Sequence, residues 1–165
     1  MKFFLICIVM FGVFGGYWFF QGEVSQEDSS QTDENEEISS DSLDLRGQGL
    51  TQIPLSVFNQ TMLEELDVSN NQLTGAIQGE IRFLQNLRVL DASDNLMTGV
   101  PAEIGQLKNL EELDLSNNQL TGLPYELGNL SNLRVLNLSG NAYSEQDLEM
   151  IQQSLPDDVT IITGK

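Results

Sequence analysis

The chain contains no histidine. That removes the side chain most used as a general base or proton shuttle, and the commonest metal ligand. The one cysteine, Cys7, lies in the hydrophobic N-terminus. Neither an internal disulfide nor a cysteine-based zinc site can form, and serine or cysteine triads with histidine are excluded. Bases are scarce too: seven Lys and Arg stand against 25 Asp and Glu, for a net charge of −18. Such a surface repels nucleic acid, whose binding needs phosphate neutralisation. A protein partner with a neutral or basic surface is expected instead. Carboxylate pairs are the catalytic machinery that is left. Nothing in the sequence marks a closed, dry pocket that would raise one of their pKa values. The chain is therefore expected to be non-catalytic and to use no cofactor and no metal.

Charge is absent altogether from residues 3–20, FFLICIVMFGVFGGYWFF. These eighteen residues are near the lower limit for a helix crossing a bilayer core, about 17–25. Tyr17, Trp18, Phe19 and Phe20 fall where an interfacial aromatic belt lies. Lys2 on the short side keeps the N-terminus cytoplasmic and the rest of the chain outside. Residues 1–20 are thus expected to be a separate transmembrane helix, a single-pass anchor in the cell membrane. The alternative is a cleaved signal peptide, with Val13-Phe14-Gly15 as a weak small-residue cut site, which would make the protein secreted. Residues 21–41 carry eight acids and no base. They cannot bury enough apolar area to offset their chain entropy, so an acidic, disordered stalk is expected.

Beyond the stalk the sequence repeats itself. Leu110 to Pro124 reads LEELDLSNNQLTGLP, and Leu63 to Gly75 reads LEELDVSNNQLTG. Looser copies start at Leu87 and Leu133. Aligned on the second leucine, the copies give Leu43, Leu66, Leu90, Leu113 and Leu136, at steps of 23, 24, 23 and 23 residues, with Val159 a further 23 on. A fixed period in the twenties marks a solenoid. Leu113 and Leu115 alternate with Glu112, Asp114 and Ser116, the period of a short strand with its leucines inward. One unit cannot bury those leucines alone, so neighbours must stack. Asn71, Asn95, Asn118 and Asn141 hold the column where the chain leaves the strand, with Gln48 in the first copy. Buried there, they would satisfy backbone groups of the turn. Val57, then Ile81 and Leu84, Ile104 and Leu107, Leu127 and Leu130 recur at helical spacing. Phe58, Met62 and Phe83 are expected to add to that apolar side.

These units resemble the plant-type leucine-rich repeat, LxxLxxLxLSxNxLTGxIP, also found in short bacterial proteins. The resemblance covers residues 42–143. Gln78 replaces a proline, Ala92 replaces a strand leucine, and Ala142-Tyr143 breaks the last LTG. The cysteine-paired N-terminal cap of many extracellular members is missing. The resemblance implies an α/β solenoid: a right-handed superhelix with a short parallel β-sheet on its concave face, short helical turns on its convex face, and a partner, usually protein, on the concave side. Residues 144–165 read as a C-terminal helix–strand cap. Ser144 and Asp147 suggest a capping box, Leu148, Ile151 and Leu155 mark a helix face, Pro156 ends it, and Val159 to Ile162 supply an edge strand.

Two columns on the strands are charged. Glu64, Arg88, Glu111 and Arg134 alternate in sign and, on strands ~4.8 Å apart, form a ladder. Asp44, Asp67, Asp91, Asp114 and Asn137 align like charges, which costs a sheet stability and so suggests a use. The expected partner-binding surface is this strand face: Glu65, Asp67 and Ser69; Val89, Asp91 and Ser93; Glu112, Asp114 and Ser116; Val135, Asn137 and Ser139. A protein-interaction module displayed outside the membrane is the function expected. A Ca²⁺-dependent or carbohydrate-binding surface on the aspartate column is the alternative. The triplets at Asn59, Asn129 and Asn137 match the N-glycosylation pattern, and a glycan on Asn137 would block the trough.

Overall fold

The structure, a computed structural model, describes residues 41–164. The expected anchor and all of the stalk but Asp41 lie outside the described residues. Among the described residues no helix is long and apolar enough to cross a membrane.

Among the described residues eight short strands follow one another along the chain, and one α-helix precedes the last of them. The strands are β1 (Ser42–Asp44), β2 (Glu65–Asp67), β3 (Thr74–Gly75), β4 (Val89–Asp91), β5 (Leu96–Met97), β6 (Glu112–Asp114), β7 (Val135–Asn137) and β8 (Thr160–Ile162); the helix is α1 (Glu145–Gln152). Six strands form one parallel sheet in the order β1-β2-β4-β6-β7-β8, and β3 pairs with β5 in a small second sheet. Each long-sheet strand from β1 to β7 is three residues with one central leucine. Leu43, Leu66, Leu90, Leu113 and Leu136 stand in one register column. The column closes on Ile161, not on Val159 as the 23-residue step predicted. Inserting α1 lengthens the last step by two residues. A shift of two keeps every side chain on its expected face.

Opposite the sheet, four 3₁₀ helices span Val57–Asn59, Gly79–Phe83, Ala102–Gln106 and Tyr125–Asn129. Side chains three apart eclipse in a 3₁₀ helix. That puts Ile81 over Leu84, Ile104 over Leu107 and Leu127 over Leu130, and all six are buried. The helices pack closely where the copies carry glycine. A Cβ on Gly105 would collide with the carbonyl oxygen of Glu126, and one on Gly128 would lie 2.7 Å from Cβ of Ser154.

The large residues expected to reinforce this side divide. Phe58 is buried, but Met62 is 66% and Phe83 49% exposed. Met62 stands in a surface column that is Asn86, Asn109 and Asn132 in the later copies. Those amides donate to the carbonyls of Thr61, Gln85 and Lys108, each at 2.9 Å. Phe83 occupies the column of Gln106 and Asn129, where the Arg82 guanidinium lies 4.6 Å from its ring centre.

The cap also departs in detail. The Ser144 side chain makes no capping bond. The Ser144 carbonyl instead accepts from the N–H groups of Asp147 and Leu148 at 3.2 and 3.3 Å. Asp147 is drawn away: its carboxylate accepts from the Leu123 N–H at 3.1 Å, tying α1 to the preceding repeat. The helix ends at Gln152, before Pro156. Ile151 and Leu155 are buried and Leu148 half-buried, as the helix face predicted.

The asparagine column is buried as expected. The Asn118 Nδ2 donates to the carbonyls of Ala92, Leu115 and Ser116 at 3.0, 3.1 and 3.1 Å. Its Oδ1 accepts from the Met97 N–H at 3.0 Å. Asn71 and Asn95 repeat this pattern of three donations and one acceptance.

Three stability measurements follow from this packing. Asn118→Ala leaves these buried groups unpaired and should cost about 1–3 kcal/mol in chemical denaturation. Gly105→Ala overpacks the junction of two 3₁₀ helices and should cost about 1–3 kcal/mol. Gly99→Ala, where nothing lies within 4 Å of the new methyl group, should stay within about 0.5 kcal/mol of the parent.

Candidate partner-binding face

Two outward columns flank the buried leucines. The first is Ser42, Glu65, Val89, Glu112, Val135 and Thr160. The second is Asp44, Asp67, Asp91, Asp114, Asn137 and Ile162. Both carry acids, and those acids are held very differently.

The aspartates close the turn that ends each strand. Asp67 Oδ1 accepts from both the backbone N–H and the hydroxyl of Ser69, at 2.9 and 2.7 Å. Asp91 holds Ser93 at 2.9 and 2.6 Å, and Asp114 holds Ser116 at 2.8 and 2.6 Å. Asn137 does the same for Ser139 at 3.2 and 2.8 Å. A short acceptor that bonds the backbone two residues on is what such a turn requires. This is a structural reason for the column and offsets its like-charge cost. Both ends of the column are further relieved. Arg46 pairs with Asp44 at 2.7 Å and Asp67 at 3.5 Å, and its hydrogen bonds hold the Asp44 carboxyl below its ordinary pKa. At the other end the Asn137 amide donates to Asp114 Oδ2 at 2.8 Å.

The serines therefore do not line the outer face. Ser69, Ser93 and Ser116 are buried and Ser139 half-buried, with their hydroxyls bound inside the turns. Among the described residues no group of three or more Cys, Asp or Glu side chains is arranged to hold a metal ion.

The other outward column stays accessible. Glu65 and Glu112 are exposed, and Val89 and Val135 are half-buried. No ion pair or side-chain hydrogen bond engages Glu65 or Glu112 among the described residues. The face thus alternates acid and valine from strand to strand. Beyond the aspartates, in the turns, stand Asn70, Asp94 and Asn117, a column that strand alternation does not reveal, all exposed and all left-handed, with φ of 54, 53 and 52°. Asn and Asp tolerate that conformation, and Gly47 and Gly140 supply it in the flanking copies. That choice of residue types was the available signal. The Asn117 Nδ2 donates to Asp94 Oδ1 at 3.0 Å.

The charge ladder forms along one end of the strands. Arg88 lies 3.3 Å from Glu64 and 3.0 Å from Glu111, and Arg134 lies 3.4 Å from Glu111. Hydrogen bonding from Arg88, helped by the charge of Arg134, lowers the Glu111 pKa from its ordinary 4.5. A depressed carboxyl pKa contributes stability above the unfolded value and loses it as pH falls through the folded one. The difference in melting temperature between the parent and Glu111→Gln should accordingly shrink as pH drops from 7 to below 4.5. A difference unchanged across that range would contradict the ladder.

Of the glycosylation triplets, Asn59 and Asn129 are exposed at the ends of 3₁₀ helices, whereas the Asn137 amide is engaged on the strand face.

Comparison with known proteins agrees with this geometry. Residues 42–157 match the family described as a leucine-rich repeat region. A 51-residue stretch is 47% identical to Receptor-like protein 41 of Arabidopsis thaliana, covering 31% of this chain and 6% of that protein. A leucine-rich repeat protein of Leptospira interrogans superposes with a TM-score of 0.63 and 42% identity, over 67% of this chain and 28% of that one. A chain of the BIR3–SERK2 complex from Arabidopsis thaliana gives a TM-score of 0.61 and 34% identity, over 73% of this chain and 66% of that one. The chain spans a small part of the length of the first two. The match to the family covers nearly all of the described solenoid, and the chain belongs to the leucine-rich repeat family, with repeats of the plant type.

Proposed function

We propose that residues 42–143 form a non-catalytic protein-interaction module and that a partner docks on the strand face. The observation that carries this reading is the column Glu65, Val89, Glu112, Val135. Its acids take no part in holding the fold, and its valines give the face an apolar component. The left-handed column of Asn70, Asp94 and Asn117, in the turns beyond the aspartates, adds exposed polar surface. A partner with a neutral or basic surface suits this composition. A solved relative in the BIR3–SERK2 complex, similar over 73% of this chain, supports protein recognition by such a solenoid. The uncharged run of residues 3–20 and the similarity to a plant receptor-like protein support display outside the membrane, on a single-pass anchor or, after cleavage, as a secreted protein.

The experiment is a crosslinking capture with the full chain as bait, repeated with Glu65→Lys/Glu112→Lys. Those residues hold no structural contact, so stability should change by no more than about 0.5 kcal/mol per site. Capture of the partner should be lost. Capture that survives the double reversal would move the site off this face.

A further inference from the structure

The Glu–Arg ladder carries no net charge, and it reads with opposite sign from its two ends. Its order across the repeats is Glu64, Arg88, Glu111, Arg134. Turned end for end, every acid falls where a base stood. Among the described residues each end of the ladder has a single ion-pair partner. Glu64 has Arg88 at 3.3 Å, and Arg134 has Glu111 at 3.4 Å. Their side chains are 42% and 72% exposed, so both can take a second partner.

The column beside the ladder has the same property. Asn86, Asn109 and Asn132 stand two residues before Arg88, Glu111 and Arg134, across the buried Leu87, Leu110 and Leu133. Residues two apart in extended chain share a face. A hollow of about 410 Å³ has Glu111, Asn132 and Arg134 among its walls. Each of the three amides gives an N–H to a backbone carbonyl of the copy before, at 2.9 Å. Among the described residues no hydrogen bond reaches their oxygens. A carboxamide carries donor and acceptor together and is its own complement.

We infer that this side of the solenoid receives a second copy of the chain, related by a two-fold axis that crosses the ladder between Arg88 and Glu111. Glu64 then faces the partner's Arg134, Arg88 faces the partner's Glu111, and Asn86 faces the partner's Asn109. Two-fold symmetry makes each contact twice and closes the assembly at two copies. Both ladders have the same strand spacing, so one pair in register brings the others into register. The opposite arrangement, with both ladders running the same way, sets Glu64 against Glu64 and Arg88 against Arg88 and is repelled. Elsewhere the net charge of −18 drives copies apart, which confines contact to this neutral stripe. Exposed ion pairs contribute little each, so the association is weak. The inference uses neither Glu65 nor Glu112 and does not depend on the strand-face reading.

Sedimentation and NMR on the full chain test it. Between about 20 µM and about 1 mM the mean mass should rise toward that of a dimer, and the Arg88, Asn109 and Glu111 amide resonances should shift. A mass independent of concentration, or one that grows past a dimer, would overturn the inference. Arg134→Glu sets acid against Glu64, and Glu64→Arg sets base against Arg134; each alone should weaken association at least about tenfold. A dimer that Arg134→Glu leaves intact would place the contact elsewhere and overturn the inference. Mixing the two variants restores every opposed pair. Labelled Arg134→Glu should therefore shift at Arg88 and Glu111 when unlabelled Glu64→Arg is added, and not when more of itself is added. The double variant Glu64→Arg/Arg134→Glu should associate as the parent does, although its own ladder then sets like charges side by side. A silent mixture, or a double variant that associates less than either single one, would assign the ladder to the fold alone and overturn the inference. Association should persist in Glu65→Lys/Glu112→Lys, which keeps failure here distinct from failure of the strand-face proposal.

Discussion

A buried carboxamide joining each copy of the repeat to the one before is the contact on which the rest of the structure depends. A three-residue strand must leave its sheet at once, and the turn that follows is covered by the neighbouring copy. Its backbone N–H and C=O groups are then out of reach of water, and each costs free energy if left unpaired. One asparagine satisfies a donor in the copy before it and acceptors in both copies. Because Asn118 meets Met97 in one copy and Leu115 in its own, it fixes the distance between turns as well as satisfying them. The leucine register, the spacing of the 3₁₀ helices and the Glu–Arg ladder all follow from that fixed distance. Among the described residues no buried side-chain nitrogen or oxygen lacks a partner.

The same constraint separates scaffold from usable surface. The aspartates of the strand face resemble a ligand-binding trough when read as a column of like charges. In the folded chain they serve the turn, each accepting two hydrogen bonds from the serine two residues on. Glu65 and Glu112 carry the same charge on the same face with no such duty. Function on this fold therefore rests with side chains the repeat geometry leaves unengaged.

What was legible in the sequence is what the repeat states several times over. The leucine column, the buried asparagines, the alternating ladder and the cap helix face each rest on the same physics in successive copies. What escaped belongs to single copies or to places where a simple period stops. Alternation placed Ser116 outward, but β6 ends at Asp114, and the turn that Asp114 closes draws the hydroxyl in. Met62 and Phe83 are apolar, yet their columns are polar in the other copies, and the column decides exposure. Ile161 displaced Val159 because α1 takes more chain than a 3₁₀ turn. Ser144 has the right identity for a capping box, but its partner Asp147 makes a longer-range bond to the Leu123 N–H. The left-handed column of Asn70, Asp94 and Asn117 was visible as a choice of residue types but has no hydrophobic period to announce it.

The central claim is that the acids of two columns on one face do different work. Thermal or denaturant unfolding of Asp91→Ala beside Glu112→Ala tests it most directly. Asp91→Ala leaves the Ser93 N–H and hydroxyl without their acceptor and should cost about 1–3 kcal/mol. Glu112→Ala should stay within about 0.5 kcal/mol of the parent. Equal losses for the two, or a loss confined to Glu112→Ala, would contradict the division between turn-holding aspartates and free glutamates.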